Sequence, residues 1–391
     1  MSHRARIRLL AAAVTAALPV LAYTASASPA SAATHSAVRA CAAPAAGHAA
    51  CNAWVRTDVK AAKAAANITP SGYGASDLQS AYNLPSATAG SGQSVAIVDA
   101  YDDPTAESDL AVYRTQFGLP ACTTANSCFK KVNQSGGTSY PRKNGGWAQE
   151  ISLDLDMVSA ICPSCHIDLV EASSASFANL GAAVNEAASL KPSAISNSYG
   201  GSDASDAGEP YYNHPGIAIT ASSGDGGYGV EFPASSHYVT AVGGTSLTHS
   251  GSTWSQTAWS GAGSGCSTLN TALTGQSGVN TGCAKRAVAD VSAVADPNTG
   301  VAVYDSTAYQ GLSGWLVFGG TSVASPVIAS VYALAGNAAS IDNNYPYTHS
   351  GSLTDVTSGN NGTCPTSQWC NAGTGWDGPT GLGTPNGTGA F

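Results

Sequence analysis

Gly319-Gly320-Thr321-Ser322-Val323-Ala324-Ser325-Pro326 is the stretch on which the reading of this chain turns. Two glycines lead into a pair of hydroxyl residues, and an apolar, helix-compatible run follows (Val327, Ile328, Val331, Leu334). Glycine tolerates backbone angles that other residues resist. The turn can therefore present Ser322 at the mouth of a helix, where unpaired N–H groups favour developing negative charge. The pattern predicts a serine hydrolase and leaves open which residue takes the hydroxyl's proton.

Histidine is the usual base. The eight histidines are His3, His35, His48, His166, His214, His237, His249 and His349. None stands in a His-Gly-Thr setting, and several lie in polar or proline-flanked stretches, so a histidine-dependent serine hydrolase stays open as an alternative without a motif to support it. A carboxylate is the alternative. Glu150-Ile151-Ser152-Leu153-Asp154 lies in a segment, Trp147 to Ile161, that reads as amphipathic at helical spacing. Acids four apart share a helix face, and Asp156 points elsewhere. Two adjacent carboxylates repel when both ionise, so one holds its proton to higher pH. Such a pair can accept the Ser322 proton in acid, where an imidazole would already be charged. The competing reading is a solvated acidic helix face. Ser222-Ser223-Gly224-Asp225-Gly226-Gly227 adds a glycine turn with one acid at its tip. A protonated Asp225 could donate to an oxyanion; the plain alternative is an ordinary turn residue.

Together these motifs resemble the sedolisin family of serine-carboxyl peptidases, whose pattern is a Glu-x-x-x-Asp helix, a Ser-Gly-Asp turn and a Gly-Thr-Ser nucleophile segment. The resemblance runs from about Thr69 to Pro385 and includes Arg286 to Ala293 with Asp296-Pro297-Asn298-Thr299-Gly300, which looks like the segment preceding the nucleophile. It implies Ser322 as nucleophile, Glu150 as general base and then acid, Asp154 orienting Glu150, and Asp225 in the oxyanion hole. It implies a subtilisin-like three-layer α/β fold with a central, mostly parallel sheet, and a secreted endopeptidase acting on proteins or peptides at acidic pH. Gly243-Gly244-Thr245-Ser246 repeats the nucleophile tetrapeptide but lacks the small-residue run and proline after it, so it reads as a structural strand end. Asp355-Val356 and Gly373-Thr374-Gly375-Trp376-Asp377 resemble the family's calcium loop. Asp355 and Asp377 would give carboxylates to one structural Ca²⁺, and Val356, Gly373 and Gly375 would give carbonyls. An inactive binding protein on the same scaffold is the main rival.

The chain has 391 residues, of which 10% are charged, with a net charge of −9. That balance disfavours nucleic acid as a partner. His3, Arg4, Arg6 and Arg8 precede an apolar run from Leu9 to Leu21, with small-residue cleavage candidates after Ala27 and Ala32. Residues 1–32 thus read as a secretory signal and not a membrane anchor. Residues 33–74, rich in Ala, Ser and Pro, read as a short pro-segment or N-terminal extension, with the peptidase domain over 75–391. The family's large prodomain has no counterpart in so short a segment. Ten cysteines in an exported chain predict disulfides between neighbours: Cys41/Cys51, Cys122/Cys128, Cys162/Cys165, Cys266/Cys283 and Cys364/Cys370. Cys162-Pro163-Ser164-Cys165 beside His166 also admits a redox or zinc motif, though no second ligand pair is evident. Strand-like runs at Ser94–Asp99, His166–Val170, Ala194–Ser196, Ile217–Thr220 and Tyr238–Val242 alternate with helical ones at Pro104–Phe117 and Phe177–Leu190. The Gly-, Ser- and Thr-rich remainder suits loops. The expected state is a monomer.

Overall fold

The computed structural model describes residue 1 and residues 36–64, 68–207 and 210–391. Apart from Met1, the expected signal segment and its two cleavage candidates lie outside the described residues. Among the described residues no helix is long and apolar enough to cross a membrane.

The run Val95–Val98 is fully buried, as a strand covered by helices on both faces must be. It lies within Ser94–Ala100, at the middle of an eight-stranded sheet. Strand Ala194–Asn197 flanks it on one side, followed by Ala218–Ser222, Thr240–Ser250 and Thr253–Ala258. His166–Ala172 and then Phe129–Asn133 lie on the other. Val291–Val294 also pairs with Thr240–Ser250. All neighbours run parallel except Thr253–Ala258, which returns antiparallel. Helices cover both faces, which gives the subtilisin-like three-layer fold. Because the strands are parallel, their carboxyl ends collect at one edge.

Local sequence sets where the helices begin. Asn144 Oδ1 accepts from the N–H groups of Gly146 and Trp147 at 3.0 and 3.2 Å, starting the helix Gly145–Ile161. Ser176 caps Phe177–Ser189 through the Asn179 N–H. Thr321–Ala335 follows Gly320 (φ 100°) and stops at left-handed Gly336 (φ 70°). Pro326, inside that helix, has no N–H to give the Ser322 carbonyl.

Three expectations need correction. Gly145–Ile161 is not amphipathic: every side chain from Trp147 to Ile161 is buried, because the helix lies between the sheet, the Thr321–Ala335 helix and the strand Val301–Tyr309. The Gly- and Ser-rich remainder is not all loop. Val301–Tyr309 and Leu312–Gly319 form an antiparallel hairpin whose Gln310-Gly311 turn has positive φ at both residues (49° and 78°), the geometry of a tight two-residue hairpin. A hairpin half open to water needs few apolar residues, so composition hid it. Finally, the folded unit does not start near Ala75. Residues 35–391 form one compact unit, with Trp54–Arg56 paired to Leu312–Gly319 and Ala50–Cys51 paired to Tyr199–Ser202.

All five neighbouring cysteine pairs are bridged. Cys162 and Cys165 are therefore spent on each other, which removes the zinc reading. Arg286 and Asp290, both fully buried, form an i,i+4 ion pair, and Tyr347 donates to Asp290 Oδ1 at 2.6 Å. The segment ahead of the nucleophile is thus a structural clamp.

Candidate active site

The carboxyl edge of the sheet gathers acids from three elements around one hydroxyl. Ser322 is the second residue of its helix and fully buried. Glu150 and Asp154 come from the Gly145–Ile161 helix, Asp225 from the turn after Ala218–Ser222, and Asp99 from the end of Ser94–Ala100. Each of these acids is at most 4% exposed. A solvated acidic helix face is therefore excluded.

Burial pushes the Glu150 carboxyl well above the usual range, and the nearby Asp154 and Asp99 push it further. Asp154 is raised by burial against the pull of the Ser198 hydroxyl, which donates to its Oδ1 at 2.8 Å. Asp99 is raised by burial, then by Asp154 and Glu171. Three such acids, all fully buried, cannot all ionise side by side, so they share protons as a set. Lys131, which meets this network through Glu171, is engaged by Asp102 and Glu171 at 2.5 and 2.9 Å.

Ser322 is close enough to Glu150 that its hydroxyl moderates the upward shift. No hydrogen bond of good geometry joins them, however. The hydroxyl donates to the Ser198 carbonyl at 2.9 Å, and both Glu150 oxygens lack a partner. Asp225 Oδ1 accepts from the Thr321 N–H and hydroxyl, each at 2.8 Å, while its buried Oδ2 is unpartnered. Burial drives the Asp225 carboxyl up to about 7, against those Thr321 bonds and the charge of Arg39. Below that pH Asp225 is a neutral acid with a proton to donate.

No described histidine takes part. His48 bonds its own loop, His214 contacts Asn185 and the Tyr211 carbonyl, and His237 pairs with Asp206. His249 and His349 stack on Trp254 and Tyr345. The repeated tetrapeptide lies within a strand, where Ser246 donates to Asp296 and a Cβ on Gly244 would strike Ala295 at 2.6 Å.

No family model matches the chain. Over 369 residues it is 30% identical to kumamolisin from Bacillus sp. (strain MN-32), an alignment covering 82% of this chain and 63% of that protein. It is 35% identical over 177 residues to sedolisin from Pseudomonas sp. (strain 101), covering 40% of this chain and 29% of the other. The structure of Pseudomonas sedolisin, a serine-carboxyl proteinase complexed with two molecules of pseudo-iodotyrostatin, superposes with a TM-score of 0.67 at 25% identity over 82% of this chain and 96% of that one. These relatives and this superposition support the sedolisin family. It spans less than two thirds of the length of the curated relatives it matches. Sphericase, at 18% identity and a TM-score of 0.50, shares the fold.

The motif reading missed several residues of the site. Asp99 ends a buried β-branched run, and an acid at the carboxyl end of a parallel strand was the available signal. Ser198 and Arg39 carried none, and neither did Asn52, whose carbonyl accepts from the Ser322 N–H at 2.9 Å, since each acts through position in space.

The C-terminal loop brings Asp355 and Asp377 to one place. Asp377 accepts from Thr380 (N–H at 3.0 Å, hydroxyl at 2.8 Å) and from the Gly373 N–H, and Asp355 accepts from the Gly375 N–H at 2.9 Å. Burial lifts the Asp377 carboxyl up to about 7, and Asp355 adds to the rise. Among the described residues neither acid has an ion-pair partner. Two carboxyls without a counter-charge are oxygen donors of the kind a hard cation takes, although the bonds made to them here come from N–H groups and the Thr380 hydroxyl, and among the described residues no third acid, histidine or cysteine joins them.

Proposed function

We propose that this protein is a secreted serine-carboxyl endopeptidase that hydrolyses proteins or peptides in acid. What carries the reading is the convergence of Glu150, Asp154 and Asp225 on Ser322 with no imidazole at hand among the described residues. The Ser322 hydroxyl exchanges its bond to the Ser198 carbonyl for one to Glu150 and attacks the scissile carbonyl, and Glu150 takes the proton. Asp154, held by Ser198, orients Glu150. The carbonyl oxygen gains charge between the Ser322 N–H, at the positive end of its helix, and the Asp225 proton. Glu150 then protonates the leaving nitrogen, and water cleaves the ester by the same route in reverse.

The test is a pH–rate profile on a quenched peptide. Asp225 works when protonated, so activity should be present below its pKa of about 7 and fall away above it. In Asp225→Asn the amide donates at every pH, so this alkaline limb should vanish. A limb that stays near neutral pH in the variant would remove Asp225 from the oxyanion site.

Asp99 is a positioning residue for the shared protons. Asp99→Asn removes a negative charge beside Asp154, so the acid limb of kcat should move down by about one pH unit. An unmoved limb would uncouple Asp99 from the pair.

Asp355, Val356, Gly373, Gly375 and Asp377 would hold one Ca²⁺ that ties the C-terminal loop to the core. Chelation should then lower Tm by about 5–10 °C, reversed by Ca²⁺ and not by Mg²⁺. An identical melting curve with and without chelator would discard the metal.

A further inference from the structure

The two carboxyl oxygens of Asp225 stand in unlike surroundings. Oδ1 accepts from the Thr321 N–H and from the Thr321 hydroxyl, each at 2.8 Å. Oδ2 is buried and has no partner. The helix Thr321–Ala335 has no side-chain cap of its own at Gly320, and a helix start leaves N–H groups that need an acceptor. Asp225 supplies that acceptor from a turn 96 residues away in the chain. The Thr321 hydroxyl is itself held, because it accepts from the Gly224 N–H at 3.2 Å. Of the two oxygens it can donate to, Asp225 Oδ1 at 2.8 Å is nearer than the Gly224 carbonyl at 3.2 Å. The branched Cβ of threonine also limits its rotation.

A neutral carboxyl bears its proton on one oxygen and leaves the other as an acceptor. Each oxygen has two lone-pair sites, and on Oδ1 the two Thr321 donors use both. A proton on Oδ1 would displace one of these bonds, and a buried donor left without its acceptor is costly. On Oδ2 the proton meets no such conflict. Oδ2 lies 2.7 Å from where a Cβ on Gly320 would stand, in the space that this residue's left-handed backbone (φ 100°) leaves open. The oxygen bonded to the Ser322 N–H, here the Asn52 carbonyl at 2.9 Å, enters the same space. A proton on Oδ2 therefore faces the position that the Ser322 N–H faces.

We propose that Thr321 is a positioning residue for Asp225: its two donors fill Oδ1, so that the carboxyl proton resides on Oδ2 and is aimed at the oxyanion. The proposal rests on the peptidase reading and deepens it. Without the hydroxyl, one site on Oδ1 opens and the proton divides between the two oxygens. Only the fraction on Oδ2 serves the oxyanion. The two Thr321 bonds also hold the Asp225 carboxyl down against burial. The other charged groups that face Asp225 are Arg39, Glu231 and Glu150, and a change at Thr321 leaves all three in place. An amide at position 225 is turned the same way, with its carbonyl on Thr321 and its NH₂ toward the oxyanion.

The experiment takes the full chain as wild type, Thr321→Val and Thr321→Ser through a pH–rate profile on a quenched peptide, with a melting curve for each. Thr321→Val should lower kcat by about tenfold. It should also move the alkaline limb up by about half a pH unit, because the ionised form of Asp225 loses a donor and the proton is kept longer. Thr321→Ser restores the donor, so its kcat should lie within about threefold of wild type and its limb should return. If Thr321→Val does not fold, Thr321→Ala also lacks the hydroxyl and is read in the same way. A purely structural loss would lower Tm and kcat with the limb left in place, and that result overturns the proposal. So does a serine variant that behaves like the valine one. In either case hydrolysis by wild type leaves the peptidase reading standing. No hydrolysis by wild type at any pH would remove that reading and this proposal with it.

Discussion

Ser322→Ala is expected to lower kcat by about five orders of magnitude, the scale seen when a nucleophile is removed from a site whose members act as a unit. The fold should survive. Ser322 makes one side-chain bond, to the Ser198 carbonyl, and that carbonyl keeps the Asn52 N–H as a donor. The helix start depends on Gly320 and on the backbone of Thr321, and alanine suits a helix well. An unchanged melting curve with turnover near zero is the predicted pair of results. A variant that keeps a tenth of wild-type turnover would take Ser322 out of the mechanism.

Glu150→Gln should cost about a thousandfold in kcat, the upper range for losing a general base that later serves as acid. The expected effect on stability has the opposite sign. Glu150 is fully buried, neither of its oxygens has a partner, and Asp154 and Asp99 crowd it. Its raised pKa means that the folded state is fully favoured only while the carboxyl is protonated, and loses ground as pH rises through that value. A glutamine is neutral at every pH. The variant should therefore melt higher than wild type near neutral pH and about equally in acid. A lower Tm at neutral pH would mean that Glu150 is a structural ligand whose bonds are lost in the variant.

Much of this site could be read from the chain because its parts are short and local. Glu150 and Asp154 are one helical turn apart, and Ser322 and Asp225 sit in glycine turns whose composition announces them. The fold followed from strand and helix runs of ordinary length. What escaped the reading depends on pairing over distance. Asn52 belongs to an Ala-rich stretch that looks like a linker, and its role appears only because residues 199–200 and 318–319, far along the chain, pair on either side of it. The burial of Gly145–Ile161 on all sides was hidden for a similar reason. Acids at helical spacing suggest a wet face unless one knows that the hairpin covers it. That hairpin left one local trace, Gln310-Gly311, which is weaker than Asn-Gly or Asp-Gly at such a turn.

The disulfides close rings spanning 3 to 17 residues. Rings this small remove little freedom from an unfolded chain, so their contribution to global stability is modest compared with bridges across distant segments. Their effect is local. A loop must peel away and straighten before it can be drawn into a neighbouring molecule's groove, and a pinned loop cannot. Three of the bridges, at 122–128, 266–283 and 364–370, fasten stretches outside the main sheet. A protein crowded among copies of itself gains durability from such knots, which hold in acid, where ion pairs lose their carboxylates.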